Sequence, residues 1–227
     1  MSFEPIGTVA PMWADNVYKS FTDCLSRLLL FSQNQLGPLH YTTATVSYHE
    51  LGRKQIVDTF LGDWVLMLDT DHAFSPDLLV RMLEFKKKFG SRVVSGIYQY
   101  KHPPHGPVAN LWTPDGKLSP LVDWDRKGEL LEIGAVGAGC LLVDRSVFNE
   151  IKSKLKEDPF AIRPGLSEDF SFCQRCKELN IPIDLAMKIE CHHVIRTILS
   201  IQDYLAPQDD LKTVDLDNGT IVPNLVK

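Results

Sequence analysis

Trp64, Val65, Leu66, Met67 and Leu68 form an unbroken apolar run behind a Gly62-Asp63 turn signal. This is the pattern of a strand buried on both faces, as in the interior of a parallel sheet. The run ends in acid, with Asp69 and Asp71 on either side of Thr70. Open α/β sheets gather their ligands at the carboxyl ends of the strands, and paired carboxylates are hard oxygen donors suited to Mg²⁺ or Mn²⁺. The stretch therefore predicts a site for a metal-bound phosphate. A solvated turn would also accept these residues, because Asp favours turns and Pro76-Asp77 follow shortly. A turn, however, gives no reason for a buried strand to end in two acids.

The chain around this strand alternates between β and α signals. Residues 6–10 predict a first strand stopped by Pro11, and residues 13–32 a helix whose stripe is Val17, Phe21, Leu25, Leu28 and Leu29. Residues 39–47 are β-branched and aromatic, a second strand. A helix over 50–61, with Leu51, Ile56, Val57 and Phe60 inward, feeds the Trp64 strand. Pro76 suits the first position of a third helix, carrying Leu78, Leu79, Met82, Phe85 and Phe89 on one face and closed by Gly90. Residues 92–98 predict the next strand. Such alternation implies an α/β fold with a mostly parallel central sheet and right-handed crossovers.

Beyond Tyr98 the character changes. His102-Pro103-Pro104-His105 and Pro114-Asp115-Gly116 predict a loop-rich insertion. Tyr98, Tyr100, Trp112 and Trp124 on or beside it would serve equally as a binding wall or as cover for a sheet edge. The glycines of residues 134–139 open no helix and are not a dinucleotide fingerprint; they allow backbone to approach a ligand or another strand. A strand over 140–143 and a helix over 146–156 follow. Ser167 predicts the N-cap of a helix running to Leu179, with Glu168 and Asp169 in its first turn, where acids are stabilising in their own right. Residues 183–193 predict two short strands, and 198–205 a short helical segment in a weakly patterned tail.

At 227 residues, 44% hydrophobic and 23% charged, the chain suits one large globular domain. The net charge of −5, with Lys86-Lys87-Lys88 explained by a helix C-terminus, leaves no footprint for nucleic acid. No stretch approaches a membrane span and the N-terminus lacks signal-peptide order, so the expected compartment is cytoplasmic. Five cysteines argue against a disulfide framework. Cys173-x-x-Cys176 with Cys191-His192-His193 approximates a zinc set, but the first pair sits on an amphipathic helix, where free Cys packs as a small hydrophobe.

In order along the chain, the β-α-β start, Arg53, Asp69-Thr70-Asp71, Gly137-Ala138-Gly139, Glu168-Asp169 and His192-His193 resemble the metal-dependent nucleotide-sugar glycosyltransferases of the GT-A fold, particularly the inverting family 2. The likeness covers about residues 5–195. It implies a Rossmann-like three-layer α/β/α domain over residues 1–195, with a nucleotide-binding half over about 1–100 and an acceptor half over about 101–195, followed by a tail over 196–227. It further implies Mn²⁺ or Mg²⁺ on Asp69, Asp71 and one of the paired histidines. Alternation from Ile189 and Cys191 selects His193 over His192. Arg53 would face the diphosphate or the nucleotide, Asp69 and Thr70 would bind the nucleotide-sugar beside it, and Ala10, Pro11 and Ser47 would border the base. A UDP-sugar is the implied donor, although this chain carries Ser47-Tyr48-His49 where the family usually has an acid that meets uracil.

The chemistry implied is attack of an acceptor hydroxyl on the anomeric carbon with loss of a nucleoside diphosphate. Asp169 matches the base and Glu168 a neighbour that helps placement. Two other readings share these residues. A haloacid-dehalogenase-type phosphatase would use Asp69 as nucleophile beside Asp71, but such enzymes place the motif near the start of the domain, with Thr or Val where this chain has Ala73. A non-catalytic sugar-nucleotide binder would keep the pocket without the base. The expected protein is a compact transferase without a membrane anchor.

Overall fold

The computed structural model describes residues 4–12, 17–44, 48–102, 105–122 and 128–195, together with the backbone of 213–215 and 220–222. In chain order the elements are β1 (Thr8–Met12), α1 (Lys19–Leu36), β2 (His40–Tyr41), α2 (His49–Thr59), β3 (Trp64–Asp69), β4 (His72–Phe74), α3 (Leu78–Phe89), β5 (Val93–Ile97), β6 (Ala109–Trp112), β7 (Leu118–Pro120), β8 (Leu130–Ile133), β9 (Ala135–Val136), β10 (Cys140–Asp144), α4 (Arg145–Lys154), α5 (Glu168–Glu178) and β11 (Ile183–His193). A separate antiparallel pair joins β12 (Thr213–Asp215) to β13 (Thr220–Val222). The expected helix at 198–205 and Trp124 lie outside the described residues.

The central sheet has eight strands in the order β2-β1-β3-β10-β5-β11-β4, with β8 also on β11. Strands β1, β2, β3, β5 and β11 run one way, and β10, β4 and β8 run against them, so the sheet is mixed and mostly parallel. Strand β3 lies between β1 and β10, buried from Trp64 to Leu68. Side chains alternate across it. Val65 and Met67 join Ile56 and Val57 of α2, Phe148 of α4 and Phe172 of α5 in one core layer. Leu66 and Leu68 join Phe21 and Leu28 of α1 and Leu79 and Met82 of α3 in the other. Each such fully buried side chain contributes about 1.5–3 kcal/mol of burial. The turn into β3 is fixed by Arg145, whose Nε donates to the Gly62 carbonyl at 2.7 Å and Nη2 to that of Phe60 at 2.9 Å. Gly62 sits at φ +80°, a conformation open to glycine. Among the described residues, no helix is long and apolar enough to cross a membrane.

Several boundaries differ from those the sequence predicts. Pro11 does not stop β1, which runs on to Met12. The Pro11 carbonyl accepts from Ala44, on the side where β2 has already ended, so its missing N–H faces a gap in the ladder. Of the strand expected over 39–47, the described residues 39–44 hold two paired residues and a bridge at Ala44 on the sheet edge, and 45–47 lie outside the described residues. Pro76 lies in a turn ahead of α3 rather than inside it, with Leu78 N–H donating to the Ser75 carbonyl at 3.2 Å. The expected loop after residue 98 holds two strands, β6 and β7, which form a three-stranded sheet, β7-β6-β9, with β9 from beyond the loop. The two strands expected over 183–193 are one, with a register shift between Ala186 and Glu190.

Candidate active site

The carboxyl end of β3 meets three neighbours. Asp69 is in register with Met12 of β1, and its N–H donates to the Gly139 carbonyl at 2.9 Å. The chain then turns through Thr70 and Asp71 into β4, which pairs antiparallel with the end of β11 and sets His72 opposite His193. The Asp71 carbonyl closes this corner by accepting from Val194 N–H at 2.7 Å. The pairing stacks the two imidazoles at 4.3 Å and 16°, with the Tyr98 ring edge-on to both, at 4.8 and 5.2 Å. Donor atoms of Asp71, His72 and His193 all lie within 4.8 Å of one another. His192 faces away, exposed, with Nε2 3.9 Å from Glu190.

The polar atoms here are arranged for a cation. Asp71 Oδ1 and both ring nitrogens of His72 are buried with no hydrogen-bond partner, and His72 is wholly buried. Unpaired buried polar groups are costly, and a metal on Asp71 Oδ1 and one His72 nitrogen would relieve part of that cost. Burial pushes the His72 imidazole down to about 4, so it is neutral near pH 7 with a lone pair to give. His193 Nδ1 lies against the Gln99 carbonyl. A carbonyl only accepts, so Nδ1 carries a hydrogen and Nε2 is the nitrogen that would meet a metal, as in many metal-ligating histidines. One carboxylate and two imidazoles are an oxygen-nitrogen set that suits Mn²⁺ better than Mg²⁺.

Asp69 is not in that group; it faces Arg53. The Arg53 guanidinium, 1% exposed on the inner face of α2, donates Nη2 to Asp69 Oδ1 at 2.5 Å, while its Nε and Nη1 have no partner. Burial alone pushes the Asp69 carboxyl up, but Arg53 and then His72 outweigh it and hold Asp69 below the usual carboxylate range. Lys101 donates to Asp71 Oδ2. Of the predicted metal trio, the structure brings Asp71 and His193 together beside His72, and turns Asp69 to Arg53 instead.

The turn that precedes β10 packs against both carboxylate groups. A Cβ at Gly139 would lie 2.5 Å from His72 Cε1 and 2.9 Å from Asp69 Oδ2, and one at Gly137 would lie 3.4 Å from Asp169 Oδ2 and against the Tyr98 hydroxyl. The Gly139 N–H donates to that hydroxyl at 3.3 Å. Burial pushes the Tyr98 phenol well above its ordinary value, with Asp69 next among the causes, so it stays neutral. At the start of α5, Ser167 Oγ and the Phe170 N–H, the latter at 2.8 Å, both donate to Asp169 Oδ1. Asp169 Oδ2 remains on the Gly137 side. Burial and then the charge of Asp169 push the neighbouring Glu168 carboxyl up, and His49 Nδ1 stands 3.7 Å from it.

The other predicted residues fall less centrally. Ala10 and Thr70 are buried, Ala10 within the core layer under α2, and Ser47 lies outside the described residues. Pro11 is buried within β1. The zinc reading fails on placement: Cys173 and Cys176 belong to one core layer and Cys191 to the other. Nor do the aromatics form one wall. Tyr98 is inside the histidine cluster, whereas Trp112 lines a separate cavity of about 370 Å³ with Gly134, Cys173 and Lys177, near the far end of α5.

No protein-family model matches the chain, and no curated protein matches it in sequence. A search of solved structures finds a crystal structure of GalNAc-T7 with UDP, GalNAc and Mn²⁺ at a TM-score of 0.58 and 12% identity, covering 84% of this chain and 43% of that one. The fold is GT-A. At that identity the likeness speaks for the GT-A fold alone, and the chain spans less than half the length of the structure it matches.

Proposed function

We propose that this GT-A chain is a metal-dependent glycosyltransferase that moves a sugar from a nucleotide-diphosphate sugar, UDP-sugars first among the candidates, to a hydroxyl acceptor. The observation that carries the reading is the convergence of unpartnered buried polar atoms at one strand end. Asp71 Oδ1 and one nitrogen of His72 ask for a cation, and Arg53 Nε and Nη1 ask for an anion. A diphosphate with its metal satisfies both demands at once.

In this reading Asp71, His72 and His193 would hold Mn²⁺ or Mg²⁺, which would supply charge neutralisation for the departing diphosphate. Arg53, oriented by Asp69, faces a phosphate or the nucleotide. Asp169 takes the proton of the acceptor hydroxyl as its oxygen bonds to the anomeric carbon and the bond to the diphosphate breaks, so that the leaving group departs with the electron pair. Oδ2 is the basic oxygen, since Oδ1 already accepts two hydrogen bonds. Attack from the Asp169 side, opposite the diphosphate, inverts the anomeric centre. Glu168 helps to place donor or acceptor, and Ala10, Pro11 and Ser47 belong to the base side. Residues 1–195 act as one catalytic domain, with the nucleotide half before about residue 100 and the acceptor half after it. The phosphatase reading is disfavoured, because Asp69, its nucleophile, is held by Arg53 at 2.5 Å.

The test is release of nucleoside diphosphate from a panel of sugar nucleotides with Mn²⁺, Mg²⁺ or EDTA, in wild type, Asp71→Ala and Asp169→Asn. Metal-dependent release from one donor, lost in both variants, is expected. Release that ignores EDTA or survives Asp71→Ala sinks the metal assignment; survival in Asp169→Asn removes the base; free phosphate as product favours the phosphatase.

A further inference from the structure

The segment leaving β5 touches the histidine-carboxylate cluster three times. Tyr98 lays its ring edge on both imidazoles, the Gln99 carbonyl takes the Nδ1 hydrogen of His193, and Lys101 places its ammonium on Asp71 Oδ2. The backbone fixes this approach. Tyr100 N–H donates to the Gly106 carbonyl at 2.9 Å, Val108 N–H donates to that of Tyr98 at 2.8 Å, and Gln99 bridges Pro107. Lys101 is therefore delivered to Asp71 by one arm of a hairpin.

Asp71 has one oxygen on each side of the problem. Oδ2 carries the ammonium, while Oδ1 is buried, unpartnered and 3.6 Å from His72 Nδ1. A divalent cation on Oδ1 and the imidazoles would share a carboxylate with a fixed positive charge. Like charges held on one carboxylate repel, even at a partly exposed pair such as Lys101 and Asp71. The repulsion ends if the ammonium has a better anion to go to. Lys101 is suited to such a move: its side chain is 38% exposed, its stem is flexible, and an ammonium has three donors, of which Asp71 takes one.

We propose that Lys101 makes metal binding conditional on the diphosphate: parked on Asp71 it weakens the free protein's hold on a divalent cation, and it transfers to the phosphate oxygens when a nucleoside diphosphate binds. This rests on the reading of Asp71, His72 and His193 as the metal centre. Metal and diphosphate then each raise the other's affinity by the same factor, as linkage requires, and much of that factor comes from Lys101.

The experiment measures Mn²⁺ binding to the free protein by the loss of the free-ion paramagnetic signal, and UDP binding by calorimetry with Mn²⁺ and with EDTA, for wild type, Lys101→Met and Lys101→Arg. Lys101→Met is expected to bind Mn²⁺ alone at least tenfold more tightly than wild type. The factor by which Mn²⁺ strengthens UDP binding is expected to fall about tenfold in Lys101→Met and to hold in Lys101→Arg. Equal or weaker Mn²⁺ binding by Lys101→Met overturns the proposal while leaving the glycosyltransferase reading intact. Absence of Mn²⁺ binding in wild type and Lys101→Met alike overturns the metal centre, and the proposal with it.

Discussion

Gly139→Ala puts the packing account of the candidate metal centre under direct strain. The new Cβ would stand 2.5 Å from His72 Cε1 and 2.9 Å from Asp69 Oδ2, where ordinary contact needs about 3.5–4 Å. Something must move by about 1 Å. His72 cannot recoil freely, since its ring is stacked on His193 and edged by Tyr98. Asp69 is tied to Arg53, and the Gly139 carbonyl accepts from Asp69 N–H. Overpacking of this kind costs about 1–3 kcal/mol. In a chain of this size each kcal/mol lowers the melting temperature by about 2–4 °C. The displacement also falls on a ligand atom set, so Mn²⁺ affinity should drop at least tenfold, about 1.4 kcal/mol. Thermal unfolding followed by circular dichroism, with Mn²⁺ titration of the folded variant, reads both effects. A variant that melts and binds Mn²⁺ as wild type does would refute the close approach of Gly139 to His72.

Three further outcomes follow from the same geometry. His72→Ala should lose Mn²⁺ binding as fully as Asp71→Ala, whereas His192→Ala should bind as wild type; parity between the two histidine variants would contradict the register of β4 on β11. Asp169→Asn should slow sugar transfer by about 10²–10⁴-fold, the usual range for losing a general base, while calorimetric UDP affinity is unchanged; a matching loss of UDP binding would move Asp169 to a binding role. Burial pushes the Cys173 thiol up to about 12, and those of Cys176 and Cys191 well above the ordinary value. With Cys140 also buried, a thiol reagent at pH 8 should find only the half-buried Cys24 in the native protein and all five cysteines in denaturant. Fast native labelling of Cys173 or Cys176 would contradict the α5 packing.

The central architecture was legible because buried strands and amphipathic helices leave strong periodic signals. The Trp64 run, the core of the stripes of α1 and α3 and the turn at Gly90 fall close to where the residues predict them, whereas Leu51 of α2 and Phe89 at the end of α3, both expected inward, are exposed and α2 buries Gly52 and Arg53. What the chain does not advertise is pairing between distant, short segments. Strand β4 is three residues long, too short for a periodic signal, yet its register with β11 is what turns His72 toward His193. The one local hint was the alternation His72, Ala73, Phe74, with the outer two buried. Lys101 was hidden for a related reason, since a lysine in a Pro-rich segment reads as solvated until the Gln99–Pro107 bridge brings it back to Asp71. Asp69 and Asp71 look equivalent in sequence. Only the tertiary position of Arg53, buried on α2, separates the acid that orients a guanidinium from the one that faces the histidines.

The most direct measurement is a crystal structure of the protein grown with Mn²⁺ and UDP, with the ion located by its anomalous scattering. The account predicts an anomalous peak bonded to Asp71, His72 and His193 and to the diphosphate of UDP, with Arg53 near the phosphates and Asp169 Oδ2 free of the metal. A peak on other side chains, or UDP bound away from the end of β3, would contradict it.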